Sequence, residues 1–176
     1  MSRLFWGLLF VLMDVKITLG SAEVGLLPDF AGYFLLMKGM EELAEESKRF
    51  DKVRHGAFVM VLVSAVLYVA DLLDLTAMQA VGIWVLGLIA HVAGLAVLYG
   101  MVSGIRQMER GSGWDLQGEK LRTMWLIQAV MGTIAYLLGW IPLVGTVAGV
   151  AGMVTAVCFL AAMFGTKKRF DENFKL

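Results

Sequence analysis

Two ionisable side chains, Asp14 and His91, stand inside stretches of sequence that are otherwise apolar. A carboxylate beside an imidazole favours the protonated ring, and such a pair can relay a proton or hold a cation. For the two to meet, the elements that carry them must place them at one depth. Counted as helix from Leu4, Asp14 lies ~15 Å along; counted from Gln79 in the opposite direction, His91 lies ~18 Å along. The spacing predicts a shared polar pocket. The alternatives are a satisfied hydrogen bond between helices, or a short first helix that leaves Asp14 at the boundary with water. Lys16, two residues from Asp14, points to another side of the same helix and is a poor partner for it.

A wider group of acids, Asp14, Glu23, Asp29, Asp71 and Asp74, shares one side of the sequence's charge pattern, with Lys16 the only base among them. Gathered by folding, it would form an electronegative vestibule for cations or cationic amphiphiles. Exclusion of bases from that side would leave the same pattern. Asp71 and Asp74 are one helical turn apart, close enough to chelate a divalent ion together or simply to mark where a helix meets water.

The run Leu26-Leu27-Pro28-Asp29-Phe30-Ala31-Gly32-Tyr33 has a mechanical reading of its own. Pro28 suits a first helical turn, Asp29 complements the positive end of the helix, and Gly32 permits close backbone approach. Together with Asp14-Val15-Lys16-Ile17, it resembles a motif of uncharacterised small polytopic bacterial membrane proteins, an acid-x-base segment followed by L-P-D-F-x-G-Y. The resemblance covers about the first fifty residues and implies a first hairpin built as a unit, with no activity attached. Asp14, Lys16, Asp29, Tyr33, Asp71 and His91 are therefore the candidate ligand-binding residues.

The elements that position them follow from composition. Hydrophobic residues make up 59% of the 176 and charged residues 17%, against ~25% charged in soluble domains. Mean hydropathy is +0.76. From Thr123 to Thr166, 44 residues pass without an Asp, Glu, Lys, Arg or His, enough helix to cross a ~30 Å hydrocarbon layer twice. The pattern predicts an all-α integral membrane bundle forming a single domain. Its six spans lie at about 3–20, 26–41, 57–75, 79–103, 122–140 and 143–165, paired as hairpins 3–41, 57–103 and 122–165 with a tail at 166–176. Pro142 divides the last pair. The first two spans are short or interrupted by charge, so they either cross with tilt or re-enter together.

Fourteen of the fifteen basic residues, all but Lys16, fall at the N-terminus, in the second and fourth connections, and in the tail. The bias of Lys and Arg towards the cytoplasm then puts both termini inside, in a cell membrane. Retention of the first helix is expected, although Arg3 followed by an apolar run imitates a secretory signal.

On the sixth span Gly145 and Gly149, and Ala148, Gly152 and Ala156, form small-xxx-small ladders that predict close packing, within the chain or against a second protomer or a membrane partner. Gln128, Thr133, Ser64 and Thr155 are expected to be absorbed by hydrogen bonds between helices or to the backbone. Cys158 reads as a small hydrophobe, the twelve methionines are dispersed, and no ligand spacing for a metal appears. Equal numbers of acids and bases give no field that would attract nucleic acid. No cofactor or enzyme signature is present.

The reading is a protein that binds or translocates a small solute, lipid-like molecule or ion. The alternatives are an assembly, regulatory or protective partner of another membrane component and, behind it, a lipid-acting membrane enzyme. Size and helix count are also similar to substrate-binding subunits of vitamin transporters of the energy-coupling type, without their small-residue coupling motif in the first helix.

Overall fold

The computed structural model describes residues 1–13, 16–19, 22–25, 28–72 and 81–174, and only the backbone of 16–19, 22–25, 71, 72, 81, 83 and 174. Six helices occupy most of it: α1 (Ser2–Leu12), α2 (Asp29–Glu42), α3 (Lys48–Leu72), α4 (Val81–Ser112), α5 (Gly118–Leu138) and α6 (Pro142–Phe174). The proline signals act as expected. Pro28 is the N-cap of α2 with φ −69°, Asp29 sits in the first turn, and Pro142 opens α6.

Four helices, α3 to α6, are long and apolar enough to cross a membrane. Their outward faces fit a hydrocarbon solvent better than water. Leu62 and Val66 on α3, and Leu143, Val147, Met153 and Val157 on α6, are each more than half exposed, far beyond the scattered apolar residues of a water-soluble surface.

The first pair of expected spans is corrected. The helix predicted over 3–20 stops at Leu12, and Met13 leaves helical geometry with φ −93° and ψ 75°. Strand β1 (Lys16–Leu19) follows and pairs antiparallel with β2 (Ala22–Gly25), Ile17 opposite Val24 and Thr18 opposite Glu23. Ile17, Thr18 and Val24 are β-branched and lose rotamer freedom in a helix, whereas they fit a pleated surface. At 11 residues α1 is ~16 Å long, and at 14 residues α2 is ~21 Å, so neither helix alone reaches across ~30 Å.

The helices close into a ring, each packed on its neighbours in sequence and α1 on α6. Helices α1 and α2 meet backbone to backbone, where a Cβ on Gly7 would lie 2.7 Å from the Leu36 backbone nitrogen and 2.8 Å from the Gly32 carbonyl oxygen. Absent side chains let the two backbones touch. Between α3 and α4 the pattern repeats with side chains as knobs: Phe50 fills the notch at Gly104 and Val53 the notch at Gly100.

One end of the bundle gathers the start of α1, the end of α2, the start of α3, the end of α4, the start of α5 and the end of α6. Arg3 pairs with Glu42 at 2.7 Å, the Ser47 hydroxyl donates to Gln107 Oε1 at 2.7 Å, and the Thr166 hydroxyl donates to the Leu116 carbonyl at 2.7 Å. Arg106 pairs with Glu119 and Arg169 with Asp115. Exposed pairs of this kind contribute under ~1 kcal/mol each, but they fix which helix ends are neighbours. At the same end Lys38 donates to Glu41 at 2.8 Å and holds that exposed carboxyl below its ordinary pKa. Beneath this polar layer the centre of the ring is filled by Leu4, Leu8, Met40, Met101, Ile105 and Phe159, all with no exposed surface.

Candidate functional site

Polar groups away from that end cluster where α4 meets α5. His91 lies half-buried on α4, and its Nε2 is 3.4 Å from the Thr133 hydroxyl oxygen on α5. Its ring stacks on Tyr136, with centroids 5.5 Å apart and planes 13° from parallel. The Tyr136 hydroxyl donates in turn to the Trp84 carbonyl at 2.7 Å, one helical end further out. Gly132 also lies beside the imidazole, where a Cβ would make an ordinary contact with His91 Cε1 at 3.4 Å. Gly132 and Thr133 lie four and three residues before Tyr136, so all three adjoin one side of α5.

Tyr33 enters from another direction. Its side chain is buried in the joint of α2, α3 and α4, and its hydroxyl occupies the notch left by Gly94 on α4, with Met60 of α3 beside it. Gly94 and His91 are three residues apart and lie on adjoining faces of α4. Two of the predicted ligand residues, Tyr33 and His91, are thus brought to one level of one helix although 58 residues separate them in the chain. Phe30 packs edge-on against Tyr68, holding the start of α2 on α3.

Of the other predicted ligand residues only Asp29 has a described side chain. Asp14 lies outside the described residues, and the side chains that His91 meets, Thr133 and Tyr136, come from α5. Helix α1, which precedes Asp14, packs on α2 and α6. Asp29 is exposed in the first turn of α2. Lys16 is the first residue of β1 and Asp71 lies in the last turn of α3, and the side chains of both are outside what is described, as is Asp74 altogether.

The minor polar residues are absorbed as anticipated. The Thr155 hydroxyl donates to Gln128 Oε1 at 2.5 Å between α6 and α5, and the Ser64 hydroxyl to the Met60 carbonyl at 2.5 Å within α3. Among the described residues no group of three His, Cys, Asp or Glu side chains has the arrangement of a metal site.

The glycines of α6 divide. Gly145 lies against the backbone of Gly139 and tightens the turn between α5 and α6, whereas a Cβ at Gly149 or Gly152 meets nothing within 4 Å. Packing inside the chain therefore does not account for Gly149 or Gly152. Sequence reasoning passed over the notches that matter most internally, those of α4. Gly100 and Gly104 carry the same four-residue spacing that was weighed on the sixth span, and that spacing was the signal to follow.

Comparison with protein families, with curated proteins and with solved structures finds no match to this chain.

Proposed function

We propose that this is a multi-pass protein of the cytoplasmic membrane that binds or translocates a small solute, a lipid-like molecule or an ion through the polar site between α2, α4 and α5. In this reading α3 to α6 cross the bilayer, the first helical pair enters and returns on one side, and both termini are cytoplasmic. The distribution of charge supports the orientation, since every basic residue other than Lys16 and Lys175 belongs to the end where the helix termini gather.

The observation that carries the site is the half-buried His91. Its Nε2 faces Thr133 while its Nδ1 makes no hydrogen bond among the described residues, so the ring has one nitrogen to offer a proton or a polar ligand.

Extraction of small molecules from the protein purified out of membranes, followed by mass spectrometry, tests the reading. His91→Ala is expected to lower a co-purifying molecule about tenfold, the equivalent of ~1.4 kcal/mol of binding, with little change in melting temperature. An identical inventory from wild type and His91→Ala would refute the site.

A second reading, assembly with another membrane component, is favoured by the open faces of Gly149 and Gly152. Gly149→Leu should leave the melting temperature of the isolated chain within about 2 °C of wild type, because surface changes usually lie within ~0.5 kcal/mol. It should also abolish a co-purifying complex if α6 is the contact face. A monomer in mild detergent with no partner would remove this second reading.

A further inference from the structure

The basic residues at the gathered end are not evenly distributed between paired and unpaired. Arg3, Lys38, Arg54, Arg106, Arg122, Lys168 and Arg169 each have a carboxylate partner. Lys48, Arg49, Lys52, Arg110, Lys120 and Lys167 have none among the described residues, and the first four of these line one continuous groove where the start of α3 meets the end of α4.

The groove has two joined hollows. One of about 300 Å³ is walled by Arg49, Tyr99, Ser103, Arg106 and Arg110, the other of about 490 Å³ by Lys48, Arg49 and Lys52, and Gln107 is common to both. Among the described residues the only carboxylate tied to any of its cations is Glu119, on Arg106. Glu45 and Glu46 precede α3 but line neither hollow. The Gln107 amide oxygen accepts from Ser47 and from the Arg49 backbone, which fixes the side chain and leaves its amide nitrogen to donate elsewhere. Cationic groups gathered with a single carboxylate among them repel one another until an anion joins them, and a phosphate presents oxygens that several such donors share.

Depth selects the kind of phosphate. Tyr99, packed against Trp125 with ring centroids 4.8 Å apart, sits where α4 is still apolar, and Arg106 and Arg110 lie ~10 Å and ~16 Å further towards the basic end. The groove thus runs from acyl-chain level to headgroup level, with an interfacial aromatic pair at its inner end. We infer that this groove holds the phosphate headgroup of an anionic glycerophospholipid of the inner leaflet. The site is separate from the His91 position; it rests on the membrane orientation proposed above and not on the solute-binding site.

Native mass spectrometry of the full chain released from detergent tests the inference, with phosphatidylglycerol and phosphatidylcholine of the same acyl chains as probes. Wild type is expected to retain phosphatidylglycerol about tenfold better than phosphatidylcholine. The groove variant Arg49→Gln/Lys52→Gln/Arg110→Gln should lose that preference, whereas Lys120→Gln/Lys167→Gln/Lys168→Gln, which removes the same charge elsewhere at that end, should keep it. Excess inorganic phosphate should not strip the lipid. Equal retention of both lipids by wild type, or equal loss in both triple variants, would overturn the inference. Displacement by inorganic phosphate would also overturn it and assign the groove to a free anion.

Discussion

Gly7→Val is expected to part α1 from α2 and lower stability by ~3 kcal/mol or more, read as a large drop in melting temperature in mild detergent. The reason is what the new atoms would strike. A Cβ on Gly7 meets the Leu36 nitrogen and the Gly32 oxygen, both backbone atoms of α2 that cannot rotate away. The contact is reciprocal, for a Cβ on Gly32 would come within 3.0 Å of the Gly7 oxygen and 2.7 Å of Val11 Cγ2. In lipid no hydrophobic force pulls helices together, so close packing carries their association, and a joint held apart by one side chain loses most of it. Gly56→Ala supplies the contrast. A Cβ there lies 3.5 Å from Val97 Cγ2, an ordinary contact, so the helix gains the ~0.5–1 kcal/mol that alanine contributes over glycine. If Gly7→Val melted like wild type, the backbone contact between α1 and α2 would be wrong.

The joint matters because the first pair of helices is where sequence and structure part. The last four helices were legible as apolar stretches, yet each extends past its predicted span at the basic end: α3 starts at Lys48 rather than 57, and α4 runs on to Ser112 rather than 103. Hydropathy sees only the part that dislikes water, while helical hydrogen bonding continues through charged residues that pair with one another, as Arg54 does with Asp51 at 2.9 Å. The change from helix to strand after Leu12 carried a signal that hydropathy averages away, the alternation Lys16-Ile17-Thr18-Leu19 with β-branched residues at its centre.

The site was legible in its members and not in its pairings. His91 and Tyr33 could be singled out as polar groups in apolar surroundings, but which helix each faces depends on rotation about the axis and on the order of helices around the ring. Spacing along one chain fixes neither. His91 turns to Thr133 and Tyr136, 42 and 45 residues away, because α4 and α5 are adjacent in the ring while α1 lies across it. The depth estimate that matched Asp14 to His91 assumed a first helix continuous through Asp14, and that helix ends at Leu12.

Glu109→Ala is expected to be the most damaging change at the basic end, lowering stability by ~2–3 kcal/mol, because charge-assisted hydrogen bonds contribute roughly twice as much as neutral ones. Helix α5 begins without a cap of its own. Gln117 stands at its N-cap in the left-handed region with φ 60° and makes no side-chain bond to the first turn. Glu109, from the last turns of α4, does that work instead. Its carboxylate accepts the Leu116 N–H at 2.9 Å and the Gly118 N–H at 3.2 Å, placing negative charge at the positive end of α5. Gly118 is the residue this arrangement requires, since a Cβ there would crowd both the carboxylate and the Arg106 stem. The same short connection holds α6, through Asp115 to Arg169 and the Leu116 carbonyl to Thr166, so loss of the cap should loosen three helices together. Trypsin cleavage after Arg110 and Lys120 should accelerate in Glu109→Ala. In Glu109→Gln it should accelerate less, because one acceptor oxygen remains without the charge. Equal cleavage of the two variants would mean that the charge at the start of α5 contributes nothing, and the cap would then be a geometric coincidence of the turn.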